Sequence, residues 1–317
     1  MNRTKLSEFI KELKKLTNVR SEALLEKDFY LTVLLDEMEK AGLGKDFIFK
    51  GGTCLSKAYL DYPRISEDLD FNWKDRKEFE GLSKNKIKKT CSKKISEIGE
   101  KLAGITARYG MDFKVEKENK HYIQISSNGK QVTFKIWYES VFEKEQFIKI
   151  QVSFMEEIIF PSQKKDLKHI FDPDVLNKNE KEFFEEFIPF YTSKVTYEVF
   201  DAKEMLSEKT RALLSRRKIK TRDILDIYLI QKKYNMDMNT FRKQSKDKLI
   251  FAIQNYEKYK DNFENITEEE LTKEDLLVED IRELLVIEID MNDFNSFVDK
   301  FLVYINDFIK EVKEELK

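Results

Sequence analysis

Leu24, Leu25, Phe29, Val33, Leu34 and Met38 recur at three- and four-residue intervals and stop at Gly42, the spacing of an apolar stripe on a helix. A short apolar run, Phe47-Ile48-Phe49, then enters Lys50-Gly51-Gly52 as a strand enters a tight turn, and Thr53 to Tyr59 returns to helical spacing until Pro63 closes it. From Ile65 to Trp73 apolar and polar residues alternate, the pattern of a strand with one covered face. Gly81 to Tyr109 predicts one long helix, lysine-rich at its start. Alternation over His121 to Ser127 and Gln131 to Tyr138, on either side of Asn128-Gly129, predicts a hairpin with a type I′ turn. Phe147 to Phe154 reads as a further strand that places Lys149, Gln151 and Ser153 on one polar face.

Beyond Glu180 the chain reads as helices, apart from a strand over Lys194 to Phe200. Thr267 with Glu270 has the spacing of a capping box. Phe294, Phe297, Phe301, Ile305, Phe308 and Val312 form a stripe on a terminal helix, better explained by core packing than by cofactor binding. All nine glycines fall at or before Gly129, so turn-rich mixed structure gives way to helix. The expected class is α+β, with a mixed-sheet lobe over residues 1–190 and a mainly helical lobe over 191–317.

Composition narrows the function classes. Charged residues make up 37% and hydrophobic ones 41%, which gives a globular chain with a densely charged surface. No run of about 18 apolar residues is present to span a membrane, and a cytoplasmic chain without a membrane partner is expected. Cys54 and Cys91 have no neighbouring histidine, and the two histidines, His121 and His169, fall in different segments, so neither a zinc site nor a Ser-His-Asp triad is indicated. A net charge of −2 gives no overall nucleic-acid signature, which leaves local clusters to carry that argument.

Three motifs carry chemistry. The glycines of Lys50-Gly51-Gly52-Thr53 let backbone amides approach a phosphate chain, although an ordinary strand-to-helix turn reads the same. In Ser66-Glu67-Asp68-Leu69-Asp70-Phe71, Asp68 and Asp70 are two apart on a strand and project from one face. Two like charges so placed repel. They suit a hard cation shared with substrate phosphates, and their position sixteen residues after Gly52 favours a site over a solvent face. From Glu208 to Asp226 cations including Lys209, Arg211, Arg216 and Arg222 precede Asp223 and Asp226, which lie three apart on a helix; the cations suit triphosphate or RNA backbone, or merely a solvated corner.

Together, Phe49-Lys50-Gly51-Gly52-Thr53-Cys54-Leu55-Ser56-Lys57, Arg64-Ile65-Ser66-Glu67-Asp68-Leu69-Asp70-Phe71 and Arg222-Asp223-Ile224-Leu225-Asp226-Ile227-Tyr228 resemble the AbiEii/AbiGii nucleotidyltransferase toxin family. Glu26-Lys27-Asp28-Phe29-Tyr30 and Glu208-Lys209-Thr210-Arg211-Ala212-Leu213 are similar to it as well, so five segments in the family's order support the likeness over about residues 20 to 230. The resemblance implies a polymerase-β-like nucleotidyltransferase lobe, a helical lobe and an active site in the cleft between them. It implies a toxin that transfers a nucleotide from a nucleoside triphosphate to an acceptor, the 3′ end of a tRNA, and that is held in check by a cognate antitoxin. Carried over residue by residue, Gly51, Gly52, Thr53, Lys57, Ser66 and Arg222 would bind the nucleotide. Asp68 and Asp70 would hold magnesium or manganese and act in catalysis, Lys209 would neutralise the triphosphate, and Asp226 would act as a catalytic carboxylate.

One departure is visible. Gln151 stands on the later strand where related sequences often carry an acid, and a glutamine neither acts as a general base nor holds magnesium as a carboxylate does. That leaves the role to Asp223 or Asp226, or makes turnover slow. It also keeps open a non-catalytic nucleotide- or RNA-binding protein, and a protein hydroxyl as acceptor would make the chain an AMP-transferase. Lys84, Lys86, Lys88, Lys89, Lys93 and Lys94 favour RNA mildly.

Overall fold

The computed structural model describes residues 1–317, which divide into two compact units. One comprises Met1–Glu156, Ser162–Phe200 and Leu284–Ile287; the other comprises Glu157–Pro161, Asp201–Glu283 and Glu288–Lys317. The main division falls after Phe200, where the expected one fell after Phe190, because Thr196–Val199 is a strand of the first unit's sheet.

The first unit contains α1 (Arg3–Leu16), α2 (Glu22–Lys40), β1 (Phe47–Lys50), α3 (Gly51–Cys54) continuing into a π-helical turn at Leu55–Tyr59, and β2 (Asp68–Trp73). It continues with α4 (Lys84–Arg108), β3 (Ile123–Ser126), β4 (Gln131–Glu139), β5 (Glu145–Ser153), β6 (Gln163–Asp166), α5 (Lys178–Phe183), α6 (Pro189–Thr192) and β7 (Thr196–Val199). The seven strands form one sheet in the order β3-β4-β5-β2-β1-β7-β6. It is mixed, as expected: β2 runs parallel to β5 and β1 parallel to β7, while the remaining pairs are antiparallel.

Alternation along β4 and β5 sets which face is covered. Val132, Phe134, Ile136, Ile148, Ile150 and Val152 are fully buried, on the side where α2 and α4 pack. The intervening residues are half-buried, so the opposite face is only partly covered. In the centre, Phe71 on β2 stacks between Phe47 and Phe49 of β1, with ring centroids 5.0 Å away in each case, a cross-strand arrangement that fixes the β1–β2 register. Phe9 of α1 closes a second aromatic core against Phe29, Phe184, Phe187 and Tyr191.

Two local expectations are corrected. Ser126 pairs with Gln131, so Ser127 to Lys130 form a longer loop in place of a two-residue type I′ turn; Ser127, Asn128 and Gly129 all take positive φ to close it. Thr267 does not start a helix, because its hydroxyl donates to Phe263 O at the end of the preceding one, and the capping box belongs to Thr272 with Asp275.

In the second unit α7 (Ala202–Ser215), α8 (Thr221–Tyr234), α9 (Arg242–Asn255), α10 (Glu257–Ile266), α11 (Lys273–Leu276) and α12 (Met291–Glu315) are all helices, as the absence of glycine predicts. The α12 stripe is core: Phe294, Phe301, Ile305, Phe308 and Val312 are buried and Phe297 is half-buried.

Candidate active site

The glycine turn and the carboxylates are built against one another. Gly51 sits at φ +80°, and a Cβ there would overlap the Asp70 carboxylate. Only glycine combines that backbone conformation with so close an approach. At Gly52 a Cβ would lie 2.6 Å from Arg64 Nη2 and 2.9 Å from Ser66 Oγ, so the second glycine gives way to side chains from the Arg64–Ser66 segment. Thr53 is buried and its hydroxyl donates to the Asp68 carbonyl at 2.5 Å, which ties β2 to the turn. Leu284–Ile287 returns to brace the same segment: Ile65 N donates to Leu284 O at 2.8 Å, and Val286 N to Pro63 O at 2.9 Å.

Asp68 and Asp70 are both half-buried and share a face of β2, opposite buried Leu69. Their parallel neighbours on β5 are Lys149 and Gln151. Lys149 Nζ lies 3.8 Å from Asp68 Oδ2, with the two side chains 39% and 27% exposed, so the pair is accessible and loosely held. Gln151 supplies an amide beside Asp70, which leaves two carboxylates here, not three. Magnesium commonly takes one or two carboxylates and completes its shell with water and substrate phosphates, so this donor set fits it; a closed all-protein site would need more. Six sequence-predicted residues therefore converge in this unit: Gly51, Gly52, Thr53, Ser66, Asp68 and Asp70.

Lys57 does not join them, contrary to expectation. It is 1% exposed, and its ammonium donates to Thr32 Oγ1 at 3.0 Å and to the Tyr62 hydroxyl while pairing with Asp28 at 3.3 Å. Burial pushes its pKa below the ordinary value against the pull of Asp28. Its partners are core groups, and its charge is already neutralised there.

The second unit carries the remaining predicted residues. Lys209 on α7 reaches both Asp223, at 2.7 Å, and Asp226, at 2.6 Å, on α8; Arg216 also pairs with Asp223. Asp223, Asp226 and Lys209 are all buried. Burial alone would raise the Asp223 pKa, but the charges of Lys209 and Arg216 outweigh it and hold the carboxyl well below the usual range. Arg222 is half-buried and adds to that field. The i, i+3 spacing of Asp223 and Asp226 thus does place both on one helix face, turned to a lysine of their own unit.

Sequence reasoning passed over Arg64, Lys149 and the pair of Lys50 with Glu156. Arg64 opens the Arg64–Phe71 motif, but nothing in the sequence marks its guanidinium as buried, at 2% exposed, and packed under a glycine. Lys149 was legible as part of a polar strand face; its place beside Asp68 follows only from the parallel register.

The glycine turn and the two same-face carboxylates thus lie against one another on β1–β2. The sequence profile described as nucleotidyl transferase AbiEii toxin, type IV toxin–antitoxin system, matches residues 33–314, and the chain belongs to that family of nucleotidyltransferase toxins. Among solved structures, MenT4, a nucleotidyltransferase toxin from Mycobacterium tuberculosis H37Rv, is similar over 99% of this chain and 97% of its own, with 16% identity and a TM-score of 0.50, which is a likeness of fold. No curated protein sequence matches the chain. No helix is long and apolar enough to cross a membrane.

Proposed function

We propose that the protein transfers a nucleotide from a nucleoside triphosphate to the 3′ hydroxyl of an RNA, with tRNA as the acceptor the family resemblance implies, and releases pyrophosphate in the cytoplasm. The observation that carries this reading is the pair Asp68 and Asp70, accessible on one face and set against Gly51. Those two carboxylates would hold magnesium or manganese, which neutralises the phosphates and the charge that develops on them. The Gly51-Gly52 backbone lets the phosphate chain approach, and Ser66 offers a hydroxyl beside it. The acceptor oxygen forms a bond to the α-phosphorus as the bond to pyrophosphate breaks in line, and the hydroxyl proton leaves to a base. Gln151 cannot be that base. The resemblance assigns the role to Asp226 and triphosphate contact to Lys209 and Arg222, and the Lys209–Asp226 ion pair means that the two residues act as a unit. A cognate antitoxin that restrains this activity follows from the same family membership.

The test is incubation of the purified chain with each labelled triphosphate, magnesium, total RNA and cell lysate. Label in the RNA fraction that is lost in Asp68→Ala and Asp70→Ala is the expected result. Label in protein would make it a protein-modifying transferase, and no label with intact nucleotide binding would make it a binding protein. Expression in bacteria should arrest growth, and a harmless parent chain would remove the toxin activity from the reading.

A further inference from the structure

The partly covered sheet face continues past the carboxylates. Asp68 pairs in register with Lys149 on β5, and Lys149 with Lys135 on β4; two residues further along the strands, Phe147 pairs with Trp137 on the same face. At roughly 3.3 Å per residue that row lies about 7 Å from the Asp68 row, close to the spacing of one nucleotide. Trp137 stacks on exposed His121 with ring centroids 4.2 Å apart and planes 5° apart, and Phe147 leans on Trp137 at 4.6 Å. Trp137 Nε1 donates to His121 O at 2.8 Å, which fixes the indole in place. Lys149 Nζ sits 5.6 Å from the Phe147 ring centre, and Lys135 stands beside Lys149, in the row next to the aromatic one. Glu139 and Glu145 pair one step beyond and end the cationic stretch.

We infer that this face, with Trp137, Phe147 and His121 as a stacking platform flanked by Lys135 and Lys149, binds the single-stranded 3′ end of the RNA acceptor and delivers its terminal hydroxyl toward Asp68 and Asp70. The proposal rests on the reading of the acceptor as RNA and says where it is held. The face presents rings with cations beside them, the chemistry that binds single strands without sequence preference: bases stack on the aromatics while lysines meet phosphates. It is continuous, through the β2–β5 register, with the carboxylate pair. An acidic protein segment would leave the rings without a use and an apolar one the lysines, and double-stranded RNA offers no splayed bases to the stack. The lysines that open α4 belong to the helix packed on the other face of the sheet, so they form a separate surface.

Trp137 also supplies the probe, because Trp73, the other tryptophan of the chain, is 7% exposed. Titrating the full chain with a short single-stranded RNA bearing a free 3′ hydroxyl should quench its fluorescence saturably. Trp137→Ala and Phe147→Ala should weaken RNA binding about tenfold, the scale of one lost base–aromatic stack, and by more than they weaken triphosphate binding. Trp137→Phe should recover most of the affinity. Lys135→Glu, a change at a half-buried lysine whose ammonium donates to Lys120 O and touches neither ring, should weaken binding and flatten its salt dependence; it decides the matter if the ring variants fail to fold. Should the parent bind and label RNA while all these variants match it, the face is overturned and the RNA reading stands. If the parent labels protein and never RNA, both fall.

Discussion

Two sets of acidic residues in this protein are arranged in opposite ways. On β2, Asp68 and Asp70 stand side by side, partly exposed, with one loosely held lysine near Asp68. In the helical unit Asp223 and Asp226 are buried and neutralised by Lys209, with Arg216 added on Asp223. The first arrangement leaves the two carboxylates half-exposed on one strand face. The second encloses charge that would be costly to leave unpaired. A carboxylate's surroundings, more than its presence in a motif, therefore separate a residue open to a cation from one already paired within its own unit.

The sharpest way to break the comparison is Asp223→Ala. It leaves Lys209 with one partner and Arg216 with none from that residue, and should cost about 3–5 kcal/mol of unfolding free energy in urea titrations, as breaking a buried pair does. A loss below about 1 kcal/mol would show the cluster to be as loose as a surface pair. Because the Asp223 pKa is depressed in the fold, its contribution is complete above the ordinary carboxyl value near 4 and is lost as pH falls through the lower folded value. Asp223→Asn should therefore remove part of the stability above pH 4 and diminish the acid-side dependence.

Gly51→Ala comes next. It imposes a strained conformation costing on the order of 1–3 kcal/mol and displaces the Asp70 carboxylate, so transfer should be lost while most of the protein remains folded. Wild-type transfer by this variant would separate the turn from the carboxylates.

The smallest effect concerns His169, whose Nε2 lies 3.1 Å from Ser193 O while Nδ1 is buried without a partner. Burial, helped by the Lys57 charge, lowers its pKa, so below about pH 6.5 the unfolded chain takes up the proton first and stability declines. His169→Gln should flatten thermal stability between pH 5 and 7, and an unchanged profile would remove this contribution.

The sheet's central strands and the site's first unit were readable in the sequence because they follow from local period: alternation gives the faces of β2, β4 and β5, and a double glycine marks the turn. What stayed hidden depends on distant partners. Lys57 reads as a cation in a binding motif until Asp28 and Thr32, from α2, are found to enclose it. Gln163–Asp166 carries no hydrophobic alternation, since this edge strand is mostly exposed along its length, and so gave no signal. The brace from Leu284–Ile287 pairs with residues more than two hundred positions earlier, which no local pattern encodes. Asp223 and Asp226 were correctly placed on one helix face, yet only the fold shows that face turned to Lys209.

The central claim, that the metal-assisted chemistry depends on the accessible pair Asp68 and Asp70, is tested most directly by the rate of nucleotide transfer in Asp70→Asn. This change keeps the shape of the side chain, so the variant should stay folded while its rate falls about a hundredfold or more. Transfer at the parent rate by that folded variant would contradict the account.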